Sequence, residues 1–178
     1  MKKGPIILTG ILLLITAIIF DNQIVFSIVK FHNNILTNIM SAVSFLGSIL
    51  IVTAITTLLF AFDRKKRTYL PVLWLTLLVA LALGFFLKIL IARPRPNILP
   101  LELKTNFSFP SGHALTVFAP LALIDKECPK LKWLWLSFGI LVLFSRLYLG
   151  VHYLSDVIAG ALIGYILGLS ILILTKHI

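Results

Sequence analysis

Long apolar runs separated by short polar clusters make up almost the whole chain. A helix needs about 20 predominantly apolar residues to cross a bilayer, and six runs approach or exceed that length. The runs are residues 5–20, 35–62, 70–92, 111–124, 133–149 and 154–174. Residues 21–34 place apolar side chains along one helical face, which is typical of a helix lying in the membrane interface. The pattern predicts an all-α, polytopic integral membrane protein with six transmembrane helices and a short interfacial helix near the N-terminus.

The composition supports a membrane protein with little room for anything else. Of the 178 residues, 60% are hydrophobic and only 12% are charged, whereas soluble domains average about 45–50% apolar and about 25% charged residues. Six spans use most of this length, and no Pro-rich or Gly/Ser-rich linker divides the chain. We therefore expect one domain, residues 1–178, embedded in the lipid bilayer.

The net charge of +10 does not indicate nucleic acid binding, because the basic residues are scattered through short loops without interleaved aromatic residues. With the N-terminus in the cytoplasm, ten of the 16 Lys and Arg residues fall at cytoplasmic ends of the runs. The six on the other side are Lys30, Lys88, Arg93, Arg95, Lys104 and Arg146. The positive-inside rule then favours cytoplasmic N- and C-termini in the cell (inner) membrane.

Two polar clusters close or open apolar runs on the predicted extracytoplasmic side. Lys88 and Arg95 end the third run two helical turns apart, although a snorkelling lysine and an interfacial arginine would give the same pattern. A Pro-Ser-Gly-His segment opens the fourth run, where Ser111 can donate and Gly112 lets the backbone approach a ligand. The free amides of such a helix start attract an anion, and His113 lies within the first turn. An ordinary capped helix start is the alternative.

The third cluster is the most informative. Arg146 interrupts an apolar run, and a charge at that depth is costly unless it meets an anion. His152 and Asp156 are four residues apart, so on a helix they are neighbours, and a carboxylate can fix the tautomer of an imidazole. A plain Arg–Asp ion pair is the alternative. His113, His152 and Asp156 could also bind a metal ion, but three nearby cations favour an oxyanion instead. We therefore expect no metal and no cofactor.

These segments resemble the three signature motifs of the type 2 phosphatidic acid phosphatase family of membrane lipid phosphatases. The matching residues, in the family's order and spacing, are Lys88, Arg95-Pro96, Pro110–His113, Ser145-Arg146, His152 and Asp156. The resemblance implies that His152 is the nucleophile, that Asp156 orients it, and that His113 is the general acid and base. It assigns the phosphate-binding groups to Lys88, Arg95, Ser111, Gly112 and Arg146.

The resemblance implies a membrane-embedded phosphatase that hydrolyses a lipid phosphate monoester or diphosphate at the extracytoplasmic face through a phosphohistidine. Candidate substrates are phosphatidylglycerophosphate, undecaprenyl diphosphate, lipid A phosphate and phosphatidic acid. A lipid phosphotransferase would use the same site, and a non-catalytic phospholipid-binding membrane protein is a third possibility. Binding alone needs only the cations, so the intact set of His113, His152 and Asp156 favours an enzyme. The sequence leaves the oligomeric state open.

Overall fold

The structure, a computed structural model, describes residues 3–96, 98 and 107–175, and every regular element within that part of the chain is helical. A 3₁₀ turn at Lys66–Tyr69 precedes the fourth α-helix. The α-helices are α1 (Lys3–Val29), α2 (Asn34–Leu46), α3 (Ile49–Ala61), α4 (Leu70–Ile91), α5 (Gly112–Phe118), α6 (Leu121–Glu127), α7 (Lys132–Tyr148) and α8 (Leu154–Leu174). The all-α prediction is therefore confirmed.

Three of the described helices, α1, α4 and α8, are long and apolar enough to cross a membrane. The pair α2–α3 is bent by 58° and would make a fourth crossing if it acts as one span. Helix α7 is 17 residues long, and the predicted fourth run is divided between α5 and α6. Lys2, Lys104 and Lys176, which entered the charge count, lie outside the described residues.

The separate interfacial helix predicted at residues 21–34 is wrong. Helix α1 continues without a break to Val29, and only residues 30–33 form the turn before α2. The polar residue that suggested a boundary, Asp21, is buried and paired with Arg93. Because its charge is compensated inside the protein, the helix has no need to leave the apolar region at this point.

Two predicted spans are interrupted. Residues 35–62 bend at Gly47-Ser48, a glycine–serine pair of the kind that permits sharp kinks. Gly47 packs so closely on α7 that a Cβ would lie 2.6 Å from Val142 Cγ1. The fourth run breaks between α5 and α6, where Pro120 lacks the amide hydrogen that a continuous helix needs.

The ends of the helices fall into two groups. At one end of the bundle the start of α2 meets the end of α7, where the Asn33 amide donates to Tyr148 Oη over 3.1 Å. At the opposite end Lys126 of α6 lies over the Tyr69 ring, 5.4 Å from its centroid, beside the start of α4. The polar motifs all lie at the first end, as the sequence predicts.

Helices α5 and α8 share the most extensive contact between helices in the described chain. Gly160, Gly164 and Gly168 form a stripe of small residues on α8, spacing that lets two backbones approach closely. A Cβ at these positions would lie 2.6, 2.4 and 1.9 Å from backbone oxygens of Ser111, Leu115 and Ala119. The stripe thus fixes the start of α5 against the start of α8.

We expect Gly168→Ala to destabilise the protein by about 1–3 kcal/mol, the usual cost of overpacking a close contact. The added methyl group meets the Ala119 carbonyl, which is backbone and cannot turn aside. Thermal unfolding in detergent measures the change. Gly84→Ala is the matched control, because its Cβ would meet only Leu115 Cδ1 at an ordinary 3.5 Å. Equal melting temperatures for both variants would contradict the close packing.

Candidate active site

His152 lies in the short turn between α7 and α8, and only 2% of its surface is exposed. Gly150, with φ of 65°, makes the backbone reversal that brings it there. Arg95 Nη1 is 3.0 Å from His152 Nε2, and His152 Nδ1 is 3.4 Å from Asp156 Oδ2. A guanidinium can only donate hydrogen bonds. The imidazole therefore accepts at Nε2 and carries its proton on Nδ1, towards the carboxylate.

The surroundings of His152 disfavour its charged form. Burial lowers its pKa well below the usual value, and the positive charges of Arg146, Arg95 and Lys88 lower the pKa further. His113 acts in the same direction, so these side chains lie close enough to act on one ring. At neutral pH the imidazole is therefore uncharged, with a lone pair at Nε2.

Asp156 occupies the first turn of α8 and is fully buried. Its Oδ2 accepts a 2.9 Å hydrogen bond from the Tyr153 amide, and its Oδ1 accepts one of 2.8 Å from Arg93 Nη1. Its main-chain oxygen accepts the Ser111 amide at 3.0 Å. The last bond joins the starts of α5 and α8, and so brings two of the three sequence motifs together.

The start of α5 presents polar groups to open space. A Cβ on Gly112 would meet no atom within 4 Å. Ser111 is completely buried, and its Oγ has no hydrogen-bond partner among the residues the structure describes. His113 follows in the first helical turn and is half-buried. A buried hydroxyl without a partner is unfavourable, so Ser111 is suited to donate to a bound oxyanion.

Three cations border this space. Lys88, near the end of α4, donates from Nζ to Phe107 O at 3.0 Å. Ala92 ends α4 in the left-handed conformation, with φ of 49°, and the chain turns back so that Arg95 Nη1 reaches Val151 O at 2.6 Å. Arg146, 2% exposed, donates from Nη1 to Ser44 Oγ. All eight predicted site residues therefore lie at one end of the bundle.

Sequence reasoning missed two charged residues beside this group. Arg93 bridges Asp156 and Asp21, with 2.8 Å between nitrogen and oxygen in each ion pair. From the sequence alone, Arg93 contributes only to the charge distribution, and Asp21 follows the end of the first predicted span. A carboxylate inside an apolar run is a signal for a buried partner, and that signal could have found the pair. Within the described ranges, no three His, Cys, Asp or Glu side chains are arranged to hold a metal ion.

Comparison with known proteins is consistent with this arrangement. Residues 69–177 match the model of the PAP2 superfamily. The chain is 37% identical over 119 residues to an undecaprenyl-diphosphatase of Sulfolobus acidocaldarius, covering 62% of this chain and 56% of that protein. It is 39% identical over 92 residues to phosphatidylglycerophosphatase B of Bacillus subtilis, covering 46% of this chain and 45% of that protein. The chain thus aligns with about half the length of these curated relatives.

Two solved structures resemble the whole fold. A transmembrane PAP2-type phosphatidylglycerolphosphate phosphatase from Bacillus subtilis has a TM-score of 0.72 and 25% identity, covering 97% of this chain and 96% of that one. Aquifex aeolicus LpxE has a TM-score of 0.73 and 28% identity, covering 86% and 94%. The apolar helices and this likeness indicate a multi-pass membrane protein.

Proposed function

The chain belongs to the PAP2 superfamily, and from this membership and the site geometry we propose that it is a lipid phosphatase. It hydrolyses the phosphate monoester or diphosphate of a membrane lipid through a phosphohistidine intermediate. The observation that carries the proposal is the placement of His152, which is buried, with Nδ1 facing Asp156 and Nε2 facing Arg95. A binding protein would need the cations but not an imidazole held in this tautomer.

In the first step His152 Nε2 attacks the phosphorus atom and the bond from phosphorus to the lipid oxygen breaks. His113 supplies a proton to the departing oxygen, and Asp156 stabilises the positive ring. In the second step His113 takes a proton from water, the water oxygen attacks phosphorus, and the bond to Nε2 breaks, which releases inorganic phosphate and restores His152.

The remaining site residues act on the phosphoryl oxygens. Arg95 moves its hydrogen bond from Nε2 to the substrate, which frees the lone pair for attack. Its partners in holding the oxygens and offsetting their charge in the transition state are Lys88, Ser111, Gly112 and Arg146. Fixed donors of this kind stabilise developing charge at little reorganisation cost.

A lipid substrate is supported by an apolar groove of about 520 Å³ between α1, α7 and α8. Leu143, one helical turn from Arg146, and Ile158, half a turn from Asp156, line the end nearest the site, and the groove runs from there towards Asp125 and Lys132. The volume is within the range of small-ligand sites, about 300–1,000 Å³. A hydrocarbon tail can therefore lie in the groove while the headgroup reaches the cations.

We place six crossings in one domain of residues 1–178. The crossings are α1, α2–α3, α4, α5–α6, α7 and α8. With this order the ends of α4 and α7 and the starts of α5 and α8, which carry the polar motifs, all lie on one side of the membrane. The charge distribution favours cytoplasmic termini in the cell (inner) membrane and an extracytoplasmic active site.

The test is release of inorganic phosphate by the purified full chain in detergent. The panel is phosphatidylglycerophosphate, undecaprenyl diphosphate, lipid A phosphate and phosphatidic acid, with and without vanadate and with and without EDTA. We expect release from at least one lipid, inhibition by vanadate as a mimic of the pentavalent transition state, and no effect of EDTA. Folded protein that releases no phosphate alone, but transfers it when an acceptor lipid is added, would make the chain a phosphotransferase.

A further inference from the structure

We infer that Asp21 and Arg93 are positioning residues for phosphoryl transfer, which hold the Asp156 carboxylate and, through it, the His152 ring. This inference rests on the proposed function. Asp21 lies on α1, outside the residues 69–177 that match the superfamily model. The first helix therefore contributes to the site through a residue that the shared motifs do not include.

The guanidinium of Arg93 joins two buried carboxylates. Nη1 donates to Asp156 Oδ1 and Nη2 donates to Asp21 Oδ2, each over 2.8 Å. Asp21 is only 4% exposed and Asp156 is fully buried. The planar guanidinium also lies over the Tyr153 ring, 4.0 Å from its centroid. A buried charge without its partner is strongly unfavourable, so loss of the Arg93 guanidinium would destabilise both carboxylates.

Asp21 also holds the first turn of α8. Its Oδ1 accepts the Ser155 amide at 2.8 Å, and Oδ2 accepts the Ser155 hydroxyl. The first amides of a helix have no partner within the helix, so α1 supplies this cap from outside. Arg93 Nη1 completes the group with a 2.7 Å bond to Ser155 Oγ. The turn so fixed carries Asp156 and directly follows His152.

This network decides how Asp156 faces the ring. With Oδ1 held by Arg93, Oδ2 is directed towards the Tyr153 amide and His152 Nδ1. The 3.4 Å separation at Nδ1 is long for a hydrogen bond, so a small rotation of the carboxylate would lose it. The main chain of Arg93 is itself fixed, because its oxygen accepts the Ser108 amide at 2.8 Å.

The experiment compares Asp21→Asn, Arg93→Lys and Arg93→Met with the unaltered full chain in detergent. We expect Asp21→Asn and Arg93→Met to lower kcat by roughly 10–100-fold, the range known for groups that orient the metal-binding side chains of enzymes. The KM for the lipid should be nearly unchanged. Arg93→Lys should restore part of the rate. The effects of Asp21→Asn and Arg93→Met should not add, because both break one network. Asp63→Asn is the matched control, since its 3.4 Å ion pair with Lys66 lies at the opposite end of the bundle and outside the apolar groove.

A second readout is independent of turnover. Nitrogen NMR of labelled histidine reports the tautomer of His152, which we expect to carry its proton on Nδ1 in the unaltered protein. Asp21→Asn and Arg93→Met should give a mixture of tautomers, and Asp63→Asn should not. Asp21→Asn conserves side-chain size, so it remains informative if Arg93→Met fails to fold.

The two readouts separate the inference from the proposed function. If the unaltered protein acts on none of the lipids but the variants lose the single tautomer of His152, the proposed phosphatase activity is refuted and the positioning of His152 by Asp21 and Arg93 is supported. An active protein whose kcat and tautomer are unchanged by Asp21→Asn would overturn the inference and keep the phosphatase. Lower melting temperature with unchanged kcat would make the network structural only, which also overturns it.

Discussion

Replacing His152 with alanine is expected to abolish turnover of every lipid that the protein accepts. The substitution removes the atom that forms the bond to phosphorus in the proposed mechanism, and no other described side chain at the site is held next to Asp156 in the same way. Loss of the nucleophile in a hydrolase of another class lowers kcat on the order of 10⁶-fold. The residual rate should therefore fall below detection in a phosphate-release assay.

Trapping of the phosphohistidine intermediate would show that the lost turnover is due to loss of the nucleophile. Protein incubated with a lipid labelled in its phosphate should retain label that is stable to alkali and lost in acid, as expected of phosphohistidine, and His152→Ala should retain none. His32→Ala is the matched control, because His32 stacks on Tyr148 at the same end of the bundle but contacts no proposed catalytic group. Turnover by His152→Ala at a rate near that of the unaltered protein would falsify the assignment of the nucleophile.

Arg146→Met is expected to lower kcat by about 10²–10³-fold, the typical effect of removing one donor that stabilises developing charge. Arg146 is almost completely buried near the end of α7, so in the proposed mechanism its charge would act on the phosphoryl oxygens with little screening by water. Arg146→Lys keeps the charge but loses the planar pair of donors. Its kcat should lie between those of Arg146→Met and the unaltered protein. Steady-state kinetics with the preferred lipid provide the measurement.

The hydrogen bond from Arg146 Nη1 to Ser44 Oγ supplies a control that separates the position of the guanidinium from its charge. Ser44→Ala leaves the charge in place and removes only this anchor on α2, so we expect a smaller loss than in either arginine variant. Inhibition by vanadate should weaken in Arg146→Met, because the same guanidinium would hold the inhibitor. A variant with unchanged kcat and unchanged vanadate inhibition would remove Arg146 from the phosphate site.

The convergence of the motifs could be predicted because it depends on topology and not on detailed packing. Polar groups at the end of one span and at the start of the next lie on the same side of a membrane, wherever the helices stand relative to one another. Helix α8 matches its predicted run completely, Leu154–Leu174. Its start is marked by polar residues that apolar lipid excludes.

The breaks and the supporting charges depend on contacts that apolar runs do not encode. The bend at Gly47 follows from its contact with Val142 of α7, and the break before α6 from Pro120. Both residues are visible in the sequence, but average hydropathy passes over them. The sequence pattern ends the first span before Asp21, because the partner of this carboxylate, Arg93, is 72 residues away. A pattern of apolar and polar positions does not show that the two residues are in contact. The spacing of Gly160, Gly164 and Gly168 was a usable signal for close packing.

The glycine stripe also limits how a lipid could enter the site of the proposed phosphatase. Helices α5 and α8 touch backbone to backbone, and the Ser111 amide donates to the main-chain oxygen of Asp156. We therefore expect the distance between His113 and His152 to stay constant. The distance between the proposed acid and the proposed nucleophile is then the same for a lipid with a slender tail and for one with a bulky headgroup. We therefore expect selectivity among lipids to depend on the surfaces around this pair, such as the groove between α1, α7 and α8, and not on the distance between the two histidines.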